Sequence, residues 1–134
     1  MTYHSGISSL LIVALLLLTG CATTQRPQVS ESQIAVLSDL AESRWRLVYD
    51  NPSFGHREYD LIFREAGKLI NTHSNEKTPD DDRWEASGKK VVLSFNNGFA
   101  VYKGELSDDG NQMSGTATSR TGGEWKWTAY RLSK

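Results

Sequence analysis

The sequence predicts an all-β protein: an antiparallel up-and-down β-barrel of about eight short strands, preceded by one short amphipathic helix. Three observations lead there. From Arg44 onward apolar side chains recur at every second residue, the period of a strand with one buried face. The apolar stretches are short and are separated by turn chemistry: Asn51-Pro52, Ser87-Gly88, Asn96-Asn97-Gly98, Asp108-Asp109-Gly110 and Gly122-Gly123. Connections this short mostly allow only neighbour-to-neighbour antiparallel pairing, and such a meander removes its edges by closing on itself.

The elements follow in order. Ser30 with Gln33 makes a capping box, and Ile34, Leu37, Leu40 and Ala41 fall at helical spacing behind it. The first strand turns Trp45, Leu47 and Tyr49 to one face, and the second turns Tyr59, Leu61 and Phe63. Lys68-Leu69-Ile70-Asn71-Thr72-His73 follows a turn at Ala66-Gly67. Trp84 and Ala86, then Val91, Leu93 and Phe95, mark the fourth and fifth strands. Ala100, Tyr102, Gly104 and Leu106 mark the sixth, and Met113, Gly115 and Ala117 the seventh. Trp125, Trp127, Ala129 and Arg131 mark the last. On the outer face Arg44 and Arg46 can pair with Glu58 and Asp60 across strands. Val48, Ile62, Tyr130 and Leu132 also point outward and should cluster where the first and last strands meet. The Ile34/Leu37/Leu40 face would cover that cluster, or the helix would cap one barrel mouth.

The N-terminus divides the chain. Leu10 to Leu18 is an unbroken apolar run, too short for the roughly 20 residues of a membrane-spanning helix and suited to a cleaved signal. Residues 1–20 therefore read as a signal peptide, 21–29 as a tether and 30–134 as one folded domain. Leu18-Thr19-Gly20-Cys21 directly after the run resembles the bacterial lipobox. That resemblance implies diacylglyceryl transfer to the Cys21 thiol, cleavage before Cys21 and acylation of its new amine. Ala22, where Asp would signal inner-membrane retention, implies a periplasm-facing anchor in the outer membrane. The segment Met1 to Gly6 departs from the pattern in having no Lys or Arg. Otherwise Cys21 would be a small buried hydrophobe, but its Thr/Gln/Pro-rich surroundings lack a core pattern. As the only cysteine it excludes a disulfide framework, and a formal net charge of -1 argues against a nucleic-acid partner.

Ser43-Arg44-Trp45 opening the first strand and Arg131 on the last resemble the calycin superfamily of lipocalins, fatty-acid-binding proteins and avidins. In that superfamily a first-strand Trp commonly follows Gly-x, and a last-strand Arg packs on it. Ser43 stands here where Gly is usual. The run from Tyr102 to Arg131 is similar to the tail of small bacterial lipocalin-like modules. The resemblance covers about residues 43 to 132 and implies the fold and a structural pair, Trp45 and Arg131, without naming a ligand. An inward Arg131 needs such a partner, because an unpaired buried charge is expensive, and a Trp45 indole supplies cation–π attraction. The alternative role for Arg131 is to bind a ligand.

No catalytic constellation emerges. His56 and His73 sit at or beside loops, and Asp80-Asp81-Asp82 lacks the spacing of a calcium loop. We expect no enzyme activity, cofactor or metal. Gly104 and Gly115 face inward on neighbouring strands, either as a barrel bend or to leave room for a ligand. If room is left, Tyr59, Trp84, Tyr102, Gly104, Gly115 and Trp127 would line a ligand site. Two functions compete. The first is a lipid-anchored envelope protein binding a small apolar or amphipathic ligand at the barrel mouth. The second is an envelope lipoprotein with a filled barrel that binds another protein, as an inhibitor or assembly accessory.

Overall fold

A computed structural model describes residues 28–134; the expected signal peptide, Cys21 and nearly all of the tether lie outside the described residues. The helix α1 spans Glu31–Leu40. Eight strands follow: β1 Arg44–Asn51, β2 Gly55–Phe63, β3 Leu69–Asn71, β4 Arg83–Ser87, β5 Lys90–Phe95, β6 Ala100–Leu106, β7 Gln112–Ser119 and β8 Glu124–Ser133. They form one antiparallel sheet in the order β3-β2-β1-β8-β7-β6-β5-β4. The first and last strands pair, as the meander requires. The two ends of the sheet meet in a bridge between Lys68 and Arg83 and in a bond from the Leu69 N–H to the Asp82 carbonyl. The result is an eight-stranded up-and-down barrel, nearly closed, with its seam between β3 and β4.

The alternation read from the sequence sets the inside. Trp45, Leu47, Leu61, Phe63, Leu93, Met113, Ala117 and Ala129 are fully buried, and Trp84, Val91, Phe95, Tyr102 and Trp127 nearly so. The outward charges pair as expected. Asp60 accepts from Arg44 at 2.5 Å and also from Arg46, while Arg46 reaches Glu58 at 2.6 Å. The expected apolar cluster outside does not form. Arg46 sits between Tyr130 and Asp60 in the register, and Arg44 opposite Ile62, so the charges separate Val48, Ile62 and Tyr130. Tyr130 and Leu132 remain about half exposed.

The helix instead closes one barrel end. Ser30 caps it by accepting from the Gln33 N–H at 3.3 Å. The Gln33 side chain leaves the capping box and bridges to the β4–β5 hairpin, donating to the Ala86 carbonyl and accepting from the Gly88 N–H, each at 2.6 Å. That turns Ile34 out to solvent, and Val36, Leu37, Leu40 and Ala41 form the packed face. Leu40 is fully buried in the barrel core.

Arg131 ties this end together. Its guanidinium carbon lies 4.6 Å from the centre of the Trp45 ring. Its Nε donates to the Gly110 carbonyl at 2.8 Å, and its Nη atoms to the Asp39 carbonyl and carboxylate at 3.3 and 2.6 Å. Lys134 first and Arg131 with it hold the Asp39 carboxyl below the usual carboxylate range. Ser43 has its own part. The Trp45 Nε1–H donates to the Ser43 hydroxyl at 2.7 Å, which donates to the Leu40 carbonyl at 2.5 Å. A glycine at position 43 would leave the indole N–H and that helix-terminal carbonyl without this relay.

Trp45→Ala should cost roughly 3 to 5 kcal/mol of stability, and Arg131→Ala should also destabilise. A double-mutant cycle by urea denaturation should give a combined loss well below the sum; additive losses would remove the stack as a stabilising unit.

Candidate functional site

A meander places every second turn at the same end. Here the β1–β2, β3–β4, β5–β6 and β7–β8 connections surround the barrel mouth opposite α1. A cavity of about 560 Å³ opens there. Its floor is aromatic: the inward residues nearest these turns are Tyr49, Tyr59, Phe95, Tyr102 and Trp125, with His73 beside them. Tyr49 is the hub, with ring centres 6.2 Å from Tyr59 and 5.9 Å from both Tyr102 and Trp125. His73 stands edge-on to Tyr59 at 5.0 Å. Its Nδ1 accepts the Asn75 N–H at 3.0 Å. The rim is polar, with Asn51, Asn71, Glu76, Asn96, Thr121 and Glu124. Phe54 and Phe99 stand exposed on facing turns of it.

Burial is the main cause that raises the Tyr59 and Tyr102 phenols far above their ordinary range, and the Tyr49 hydroxyl adds to it. The floor therefore offers neutral hydroxyls at any physiological pH.

The structure divides the residues expected to line a ligand site. Tyr59 and Tyr102 line the cavity. Trp84 does not: it packs at 5.3 Å on Phe63 and donates its indole N–H to the Arg64 carbonyl, near the helix-capped end. Gly104 and Gly115 leave no room. They pair directly in the register. A Cβ on Gly104 would lie 2.5 Å from the Trp127 ring, and one on Gly115 only 1.9 Å from the Lys103 carbonyl oxygen. The glycines let two strands approach closely and let Trp127 lie across them, the bend reading of their sequence pattern. Trp127 fills the middle of the barrel, and the cavity lies above it, at the open mouth.

The sequence did not single out Tyr49, Phe95, Trp125 or His73 as lining a site. The available signal was their position beside alternate turns, which share one mouth in a meander. Asp82, the last of the acidic run that lacks the spacing of a calcium loop, is fully buried at the mouth end of the seam. Its Oδ1 accepts the Asn96 N–H at 2.8 Å and its Oδ2 the Asn71 side-chain amide at 2.5 Å. One carboxylate thus joins β3 to the β5–β6 turn where the β3–β4 ladder stops. Burial, with the Glu76 and Asp81 charges adding to it, pushes the Asp82 carboxyl up to about 6. Among the described residues no group of acidic, histidine or cysteine side chains is arranged to hold a metal ion.

No protein-family model matches this chain, and no curated protein matches it. Among solved structures it is similar to a redesigned β-barrel at 18% sequence identity and a TM-score of 0.39, over 72% of this chain and 95% of that one. The barrel itself is defined by the strand pairing.

Because Asp82 holds its proton more tightly when folded, the native state binds the extra proton between about pH 4 and 6. That contribution to stability is full below about pH 4 and is lost as pH rises through 6, by at most about 3 kcal/mol. Asp82→Asn should lack this loss. The stability difference between wild type and variant, from urea denaturation at a series of pH values, should shift in the variant's favour from pH 4 to 6; a pH-independent difference would exclude the shifted carboxyl.

Proposed function

We propose that this protein is a lipid-anchored envelope lipoprotein that holds a small amphipathic ligand in the open mouth of its barrel. The observation supporting the binding role is the mouth itself: an aromatic floor under a polar rim, in a cavity of about 560 Å³. Ligand sites are commonly concave and largely apolar, with a few polar groups that set orientation, and an eight-stranded barrel has room for one small ligand. The anchor rests on the lipobox-like Leu18-Thr19-Gly20-Cys21. Acyl chains on Cys21 would tether the domain to the outer membrane on its periplasmic side. Each buried methylene adds about 0.8 kcal/mol of membrane affinity, so several chains hold firmly.

A protein-binding role is the second reading. Phe54 is 65% and Phe99 43% exposed, both on the same rim, and exposed apolar residues grouped on one edge suit a partner's surface.

Two experiments test the main reading. Cys21→Ser should abolish incorporation of labelled palmitate and release the protein from the membrane fraction; a variant that stays membrane-bound, with an unlabelled wild type, overturns the anchor. N-phenylnaphthylamine should bind the purified protein and quench Trp125. Tyr49→Ala should weaken that binding at least about tenfold, the order expected from losing one well-packed aromatic contact. A wild type that leaves the dye unbound, while a protein co-purifies with it in stoichiometric amount, favours the second reading.

A further inference from the structure

The charges at the mouth say more about the ligand than its shape does. Among the described residues two carboxylates line the cavity, Glu76 and Glu124, and no lysine or arginine does. Neither carboxylate has an ion-pair partner among the described residues. Glu76 is half-buried and held in place, accepting the Thr78 N–H at 2.6 Å and the Asn71 side-chain amide at 2.5 Å. These donors keep it ionised, below the usual carboxylate range, against the opposing effect of burial. Asp82, behind the same Asn71 amide, adds a further negative charge at neutral pH. Arg120 lies between the lining residues Ser119 and Thr121, but it turns its guanidinium onto the Asn97 carbonyl at 2.7 Å. His73 turns its Nδ1 onto the Asn75 N–H.

Below this acidic rim lie the rings of Tyr49, Tyr59, Phe95, Tyr102 and Trp125. Aromatic faces carry negative potential and attract cations, most strongly where water is excluded. Rim carboxylates and ring faces therefore favour one sign of charge. An anionic head group, by contrast, would meet like charge, with no lysine or arginine among the described lining residues to receive it.

From this geometry we infer that the mouth selects an amphipathic cation: an amine or quaternary ammonium whose apolar body lies on the aromatic floor while its charge sits between the rings and the rim carboxylates. This deepens the ligand-binding reading above and depends on it.

Three probes with the same apolar chain separate the two ideas: decyltrimethylammonium, neutral decyl maltoside and decyl sulfate, each below its micelle concentration. Binding is measured by calorimetry on the full purified protein, with tryptophan quenching as a second readout. The cation should bind at least about tenfold more tightly than the neutral probe, as expected of one favourable charge site over aromatic rings, and the sulfate more weakly than either. Glu124→Gln, on an exposed residue, should reduce the cation's advantage several-fold and leave the neutral probe unchanged. Glu76→Gln should reduce it further, with thermal unfolding confirming that both variants fold. Equal binding of all three probes, or a preference for the sulfate, overturns the cation assignment and leaves the ligand-binding reading standing. Failure of all three to bind overturns both.

Discussion

A guanidinium can stay inside a small barrel only if its N–H groups find acceptors and its charge finds a partner, since burying it bare would cost far more than the fold could supply. Arg131 meets those conditions at one place. It stacks on Trp45 from the first strand and donates to Gly110 in the β6–β7 turn and to Asp39 near the end of the helix. Four separate parts of the chain are therefore held by one side chain at the strand junction that closes the meander. The Trp45–Ser43–Leu40 relay beside it satisfies the indole N–H and a helix-terminal carbonyl. The helix closes this end, and the aromatic-floored cavity lies at the other.

The volume of the interior supports the same conclusion. Phe63 packs against both Trp45 and Trp84 near the helix. In the middle, Gly104 and Gly115 give up their side chains so that strands and the Trp127 ring can approach. A pair of inward glycines is therefore not a hole: the absent Cβ volume is occupied by a neighbour's ring and by backbone. The cavity lies where the tyrosines converge beneath the turns, and there the chain supplies aromatic faces and acidic rim groups.

Closure has a weak point as well. β3 is only Leu69–Asn71, so the ladder between the sheet's two ends runs out before it reaches the mouth. Asp82 takes over from it by accepting from Asn71 and Asn96. The buried carboxylate is tolerated because both oxygens are hydrogen-bonded, and the cost that remains is expressed as its raised proton affinity. The wall of the cavity and the seam of the barrel are thus held by the same small set of side chains, Asn71, Glu76 and Asp82.

Much of this was legible in the residues alone. Period-two alternation sorted inside from outside, because a strand's side chains must alternate whatever their partners. Short turns forced neighbour pairing, and the Arg44, Arg46, Glu58 and Asp60 charges marked the β1–β2 pair. Trp45 and Arg131 could be matched through the resemblance to the calycin pattern, and the pairing makes physical sense because an inward arginine needs a partner such as an aromatic ring. What alternation cannot supply is position along the barrel axis. It ranks Trp84, Trp127, Tyr49 and Trp125 alike as inward, while register places Trp84 and Trp127 in filled layers and Tyr49 and Trp125 at the open mouth. Nor could spacing show that Gln33 rather than Ile34 faces the protein, since that depends on the Ala86 carbonyl and the Gly88 N–H lying within reach. Asp82 was hidden for the same reason. In sequence it ends an acidic run just before β4, and it is buried by strands and turns that only closure of the barrel brings around it.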